Sequence, residues 1–485
     1  MKKATLLAGV LALSLIAFAG CNNNNDAPAT TTEATTVAET TVAEATTAEA
    51  TDAETAETPE TETPATNMAG RDITLMTWWE YFPLVEPDPA TDADYMLSRM
   101  FWDNLQRVQE EFNITVEGRV LAFEELLPNL TANVLAGAAP ADLMLIGGPE
   151  ILSAINGDLI LNAGQFTTPG ADLTGNMDFV RATAVLDGDI WAFDRQEPWP
   201  HGHGIGVNLG IINAMGLDNP VDLYNSGQWT WEAMREIMVA ATVDTTGDGV
   251  IDQFGLSGQP ADIINGLLAS NDGMLVDGAT MTYGLSHPNS MEALEFAYDI
   301  FNTLNVWFYD QEGYDDMGDW RRNFFAFQEN RSALFVGATW AFAPYEGGVP
   351  FDFAFVPFPV GPNGSGNYVR MAGFTQGVVM PVTTQDPQLV YQIFEEIMRW
   401  PGDEPELAAE GILSYARGIF LTEDDVQRML SIGARARIDV GMSIHGYYWM
   451  LGDLARIFRN REMTVAQAVE TFSGERQAMI DELFN

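Results

Sequence analysis

Apolar and polar positions set the first elements. In "DITLMTWW", Ile73, Leu75 and Thr77 alternate with Thr74, Met76 and Trp78, which predicts a short strand. In "YMLSRMFWDNLQRVQEEF" the period changes: Leu97, Met100, Phe101, Leu105, Val108 and Phe112 recur at helical spacing. "NITVEGRVL" predicts a second strand, "ELLPNLTANVLAG" a helix, and "ADLMLIGG" a buried strand ending in glycines. This β-α-β-α-β order is that of a parallel sheet covered by helices.

The pattern continues down the chain. "GIGVNLGIINAMG" reads as a strand running into a helix, and "TWEAMREIMVAAT" as a helix with Thr230 as N-cap. "SMEALEFAYDIFNTL" predicts a helix capped by Ser290, "SALFVGATW" and "DFAFVPFP" predict strands, and "PQLVYQIFEEIMRW" a helix. The C-terminal region reads as helical from about Asp424. There is no convincing internal repeat. A folded body of this length is expected to be two α/β lobes rather than one sheet.

The N-terminus reads as an address. "MKKATLLAGVLALSLIAFAGC" has two lysines, an apolar run and small residues before a cysteine, the pattern of a secretory signal over residues 1–20. Its ending, "FAGC", resembles the bacterial lipobox, which implies lipidation at Cys21, although Phe18 departs from the usual aliphatic residue. An uncleaved membrane anchor is the alternative; both leave the rest of the chain outside the membrane. Residues 21–69 carry that cysteine and a low-complexity run of Asn, Thr, Ala, Glu and Pro. With so little to bury, this run is expected to be a disordered tether, with a span of roughly 40 Å.

Of the 485 residues, 47% are hydrophobic, enough for large cores, and the formal net charge is −47. Such a field repels phosphates, so nucleic acid is an unexpected partner. Cys21 is the only cysteine, which excludes an intrachain disulfide and a Cys-based metal cluster. A G-x-S-x-G elbow, an H-E-x-x-H pair and a P-loop are all missing, and there are four histidines.

Two motifs leave their chemistry open. "DTTGDGVIDQFG" places Asp244, Thr246, Asp248, Val250 and Asp252 at positions one, three, five, seven and nine of a calcium-loop spacing, with Gly249 at the sharp turn. Its twelfth position is Gly255 instead of a bidentate glutamate. The other reading is an Asp/Gly turn held by side-chain-to-backbone hydrogen bonds. "EPWPHGHG" holds Trp199, His201 and His203. A His-x-His pair can bind zinc on one strand face, or it is a cleft contact or a plain loop.

Eight segments, in order, resemble the extracellular solute-binding proteins of sugar ABC importers, a maltose-binding-protein-like family. They are "ITLMTWWE", "NVLAGAAPADLMLIGG", "GDIWAF", "GVNLGIINAMGLDNP", "WTWEAMREIMVAATVDTTGDGVIDQFGL", "ALFVGATW", "DFAFVPFPVGPNG" and "YYWMLGDLARIF". The resemblance implies an α/β, two-lobed type II periplasmic-binding-protein fold with a ligand cleft between lobes joined by crossover strands. It divides the body into 71–203 plus 341–410 for lobe 1 and 208–335 plus 411–485 for lobe 2. It implies capture of a carbohydrate, an oligosaccharide by the aromatic supply, at the outer face of a bacterial cytoplasmic membrane, for delivery to ABC permease subunits. No cofactor is required. Relatives that hold calcium in the aspartate loop use a tenth-position side chain, here Gln253.

A sugar offers hydroxyl edges and weakly apolar faces, so its site needs flat aromatic platforms ringed by polar groups. The resemblance puts Trp79 with Glu80, Trp340, and Tyr448 with Trp449 at that cleft; Glu150 after the glycines of "GGPE", Trp199, and Arg370 with Phe374 near the crossover are further candidates, and core or hinge packing is the other reading of Trp79 and Trp340. Of Trp78 and Trp79, alternation sends one to the core. Two other classes stay open: an extracellular glycan-acting enzyme, with carboxylates such as those in "GDW" (318–320) or "FDRQE" (193–197) facing each other, and a glycan-binding adhesin without an importer.

Overall fold

The protein is described by a computed structural model. It covers residues 67–79, 84–90, 95–166, 185–186, 189–193, 202–308, 321–343, 347–368, 370–371, 376–399, 405–433, 436–437 and 439–484. The expected signal, Cys21 and nearly all of the tether lie outside these residues. No helix among the described residues is long and apolar enough to cross a membrane.

Lobe 1 opens with β1 (Arg71–Thr77), α1 (Tyr95–Phe112), β2 (Ile114–Val120), α2 (Phe123–Leu135), β3 (Leu143–Gly147) and α3 (Gly148–Asn156). β1 pairs in parallel with β2 on one side and β3 on the other. β1 and β3 are covered on both faces, so both halves of their alternation are buried, while the edge strand β2 is mostly exposed. Ile73 and Leu75 meet Leu97, Phe101 and Leu105 of α1, while Met76, Met144 and Ile146 pack with Leu126 and Leu130 of α2 and Ile151 of α3.

Lobe 2 is built on β4 (His203–Asn208). It is followed by α4 (Leu209–Met215), α5 (Trp231–Ala241), β5 (Phe254–Gly258), α6 (Pro260–Ser270), α7 (Pro288–Tyr298) and β6 (Ser332–Ala338). Asn208 caps α4, accepting from the Ile211 amide at 3.0 Å, and Thr230 caps α5, accepting from Ala233. Ser290 does not cap α7. His287 holds that place ahead of Pro288, whose fixed φ suits the first helical turn, and the buried Ser290 hydroxyl instead bonds the backbone of Met274.

The pairing of β7 (Phe353–Val356) and β8 (Arg370–Met371) redraws the expected lobe boundary. Both lie antiparallel to β4 in the second sheet, so residues 353–371 belong to lobe 2, not lobe 1. The reason is β4 itself: its far side is taken by β6, leaving one edge of backbone groups to satisfy. Lobe 1 regains the chain only at β9 (Gln376–Val379), antiparallel to β3, and α8 (Pro387–Met398). α9 (Pro405–Ile419), α10 (Glu423–Gly433), β10 (Ala436–Arg437), α11 (Tyr447–Asn460) and α12 (Val465–Phe484) complete the fold.

The second sheet is likewise covered twice. Ile205, Val207, Leu256, Leu334 and Val356 pack with α5, α6, α7 and α11. On the other face Phe335, Phe353 and Phe355 meet Phe324, Phe327, Phe342 and Phe420. Phe342 stacks on Phe353 with centroids 5.1 Å apart.

Candidate functional site

Several strands of the two sheets end in loops or helix starts. β1 stops at Thr77, β3 at Gly147, β5 at Gly258 and β6 at Ala338, each running into a loop or a helix start. β4 runs against β6, so His203 lies beside Ala338 at that same sheet end. Crevices outside the carboxyl ends of α/β strands are where such folds bind ligands.

Lobe 2 contributes a connected polar group. Asp262 stands in the first turn of α6 and is 7% exposed. His203 Nε2 lies 3.6 Å from Asp262 Oδ2, and the Tyr448 hydroxyl donates to Asp262 Oδ1 at 3.2 Å. Burial pushes the Asp262 carboxyl above the usual carboxylate range, against the pull of His203 and the Tyr448 hydroxyl. Burial and the neighbouring Asp262 push the Tyr448 phenol well above its ordinary value. Asn265 follows Asp262 at i+3, on the same face of α6, and is buried. Among the described residues, Asn265 Nδ2, Thr339 Oγ1 and Glu150 Oε2 are buried without a hydrogen-bond partner.

The aromatic residues divide. Trp78 packs edge-on against Phe123 at 5.2 Å, whereas Trp79 remains 39% exposed after β1. At the start of α11 Tyr447 is buried in the core, Tyr448 is half-buried, and Trp449 is 46% exposed with its ring edge-on to Tyr448 at 5.6 Å. Trp340 follows β6 and leans, partly buried, on the phenylalanine cluster. Glu150 is buried in the first turn of α3, with its Oε1 3.5 Å from His445 Nδ1. Arg370 is described only by its place in β8 beside Ala436. Glu80, Trp199, His201 and Phe374 lie outside the described residues.

Asp262 and His445 are absent from the sequence reading, and the structure places them at the centre of these contacts. An acid on an acidic chain reads as solvated surface. The available signal was that α6 is otherwise an apolar run, "IINGLLA", too apolar to have a solvent face.

The aspartate loop closes on itself. Asp244 accepts from the amides of Thr246, Gly247 and Gly249 at 3.1, 2.6 and 2.6 Å. Asp248 accepts from Val250, and Asp252 from the amide and hydroxyl of Thr245. The Gln253 amide donates to Ala241, at the end of α5. Among the described residues no three His, Cys, Asp or Glu side chains are grouped to hold a metal ion. In this arrangement Asp244, Asp248 and Asp252 are acceptors in a turn tied by side-chain-to-backbone hydrogen bonds, and calcium binding by Asp244, Thr246, Asp248, Val250, Asp252 and Gln253 stays an expectation.

The Gly249 amide first, then the Gly247 amide and the Thr246 hydroxyl, hold the Asp244 carboxyl below its usual range. A lowered carboxylate pKa stabilises the fold above the unfolded value and loses that contribution as pH falls through the folded one. Asp244→Ala is therefore expected to lower the melting temperature at pH 7, with the gap to wild type closing in acid. A calcium-dependent rise in melting temperature, abolished by the substitution, would show instead that the carboxylates rearrange around an ion.

Two α/β sheets, each covered by helices, and an exposed Trp449 beside the buried Asp262 group fit the class of two-lobed, type II binding proteins. The chain belongs to the bacterial extracellular solute-binding proteins, whose family profile matches residues 102–396. No curated protein matches the sequence. Among solved structures, a Listeria monocytogenes ABC substrate-binding protein in complex with cycloalternan is similar at 13% identity and TM-score 0.62, over 85% of this chain and 99% of that one. The maltose/maltodextrin-binding domain of Bdellovibrio bacteriovorus, bound to maltotriose, is similar at 15% identity and TM-score 0.57, over 85% and 99%. The cyclic α-maltosyl-1,6-maltose-binding protein of Arthrobacter globiformis is similar at 13% identity and TM-score 0.60, over 84% and 98%. Members of the family bind substrates rather than transform them.

Proposed function

We propose that this protein is the surface-anchored substrate-binding component of an ABC importer, lipidated at Cys21, and that it captures an oligosaccharide in the crevice between its lobes. The observation that carries this reading is the pairing of exposed indoles with a buried hydrogen-bonding set. Trp79 and Trp449 remain 39% and 46% exposed, leaving part of each indole open to solvent where a sugar face could stack. Beside Trp449, Tyr448, Asp262 and His203 form a chain of donors and acceptors suited to hydroxyls. A ring of C–H faces and hydroxyl edges satisfies both halves at once. The glycan-bound neighbours support the same ligand class. Binding between lobes shifts the population toward the closed form, and delivery to permease subunits follows from recognition of that form.

Asp262 enters this reading as an acceptor, or as a donor when protonated, and strongly anionic ligands are disfavoured beside it and the buried Glu150. The test is thermal shift of the protein against a panel of mono- and oligosaccharides, peptides and polyamines. Stabilisation by oligosaccharides is expected. Stabilisation by a peptide or polyamine with no response to any sugar would overturn the reading.

A further inference from the structure

α3 sits between the lobes. Ile151 and Ala154 pack in the lobe 1 core, while Leu152, two residues after Glu150, joins the core of lobe 2. Facing the start of α3 is the turn 444–446 that leads into α11. Gly446 takes φ +81°, and a Cβ there would meet Arg476 Nη1 at 2.8 Å. This backbone sets His445 against Glu150 across the lobe boundary, Nδ1 to Oε1 at 3.5 Å. The pair is unequal: the Glu150 side chain is 6% exposed and that of His445 61%. A buried carboxylate with only one oxygen engaged among the described residues leaves Oε2 as an acceptor without a donor.

We propose that Glu150 and His445 form a clasp between the lobes, and that Glu150 Oε2 takes a hydroxyl of the bound ligand, so closure and capture share one carboxylate. The ligand half rests on the reading above; the clasp half does not. Besides Glu150, the charged group that acts on His445 is Arg476, and Tyr447 and Asp439 lie near this histidine in the chain. Arg476, on α12, opposes the imidazolium and sits over the Tyr447 ring at 5.5 Å. Tyr447 adjoins it on α11, and Asp439 lies ahead of the turn, bonded to the amides of Leu275 and Val276. Glu150 prevails, raising the His445 pKa against burial and Arg476. A raised histidine pKa means the charged clasp is complete below the unfolded value, about 6.5, and is lost as pH rises through the folded one.

The test is energy transfer between dyes at Leu135→Cys and Val250→Cys, exposed sites on opposite lobes, in a Cys21→Ser chain without ligand. The expected result is a larger lobe separation at about pH 8.5 than at about pH 5.5, with that dependence missing in both His445→Gln and Glu150→Gln. In calorimetry with maltotriose as the probe, Glu150→Gln is expected to weaken binding about tenfold or more and His445→Gln about threefold, since its ring is exposed. An unchanged pH dependence in His445→Gln overturns the clasp, whatever maltotriose does. An intact clasp with equal maltotriose affinity in wild type and Glu150→Gln overturns the ligand contact. Failure of wild type to bind any sugar counts against the proposed function and leaves the ligand-free clasp result standing. Melting curves of each variant confirm that it is folded.

Discussion

Replacing Tyr448 by alanine is expected to weaken oligosaccharide binding by about 30-fold or more, roughly 2 kcal/mol or above. The size follows from two losses at one position. The ring is an aromatic face at the start of α11, set edge-on to Trp449, and its hydroxyl is a hydrogen-bond partner of the buried Asp262. Truncation removes the face and takes one donor from a buried carboxyl, whose remaining neighbour is His203 at 3.6 Å. Tyr448→Phe separates the two losses, keeping the face and removing only the hydroxyl, and should fall between wild type and Tyr448→Ala in calorimetric titrations. Equal affinity of wild type and Tyr448→Ala, in a protein with an unchanged melting curve, would remove Tyr448 from the site.

A glutamate at position 255 is expected to damage the fold rather than complete a calcium loop. Gly255 is the second residue of β5, and a Cβ there would press into the backbone of Met238 on α5, closer than the 3.0 Å that real Cβ atoms respect. The atoms met are a carbonyl oxygen and a Cα, so no rotamer change relieves the clash. Forcing extra bulk into a packed interior costs about 1–3 kcal/mol even where side chains can yield, and here backbone must move. Gly255→Ala should therefore already lower the melting temperature, Gly255→Glu should lower it further, and added calcium should restore neither. Recovery of Gly255→Glu by calcium would contradict this account. The same geometry explains the missing twelfth ligand: the strand lies too close to α5 to carry any side chain there.

Much of the fold is readable from local patterns because local forces produce it. The alternation through Ile73, Leu75 and Met76 sends residues to two buried faces, and it survives into the structure since α1 and α2 cover both sides of β1. Thr230 marks the start of α5 because its side chain can reach an amide three residues on. Strand partners are another matter. "FAFV" has the same apolar pattern whichever sheet receives it, and only the open edge of β4 decides that Phe353–Val356 joins lobe 2. The site is legible in proportion to how unusual its residues are in their settings. Indoles at strand and helix ends stand out, and Trp79 and Trp449 are in fact exposed there. Asp262 and His445 do not stand out, because their meaning comes from partners 59 and 295 positions away, His203 and Glu150. Trp340 reads in sequence as a platform or a hinge-packing residue, and it is partly buried against a phenylalanine cluster assembled from distant elements.

The most direct measurement of the central claim is calorimetric titration of the protein with a series of oligosaccharides of increasing length, alongside a peptide and a polyamine. Saturable one-to-one binding of an oligosaccharide is expected, weakened in Tyr448→Ala, with no heat from the peptide or polyamine. Saturable binding of the peptide or polyamine, with none of any saccharide, would contradict that claim.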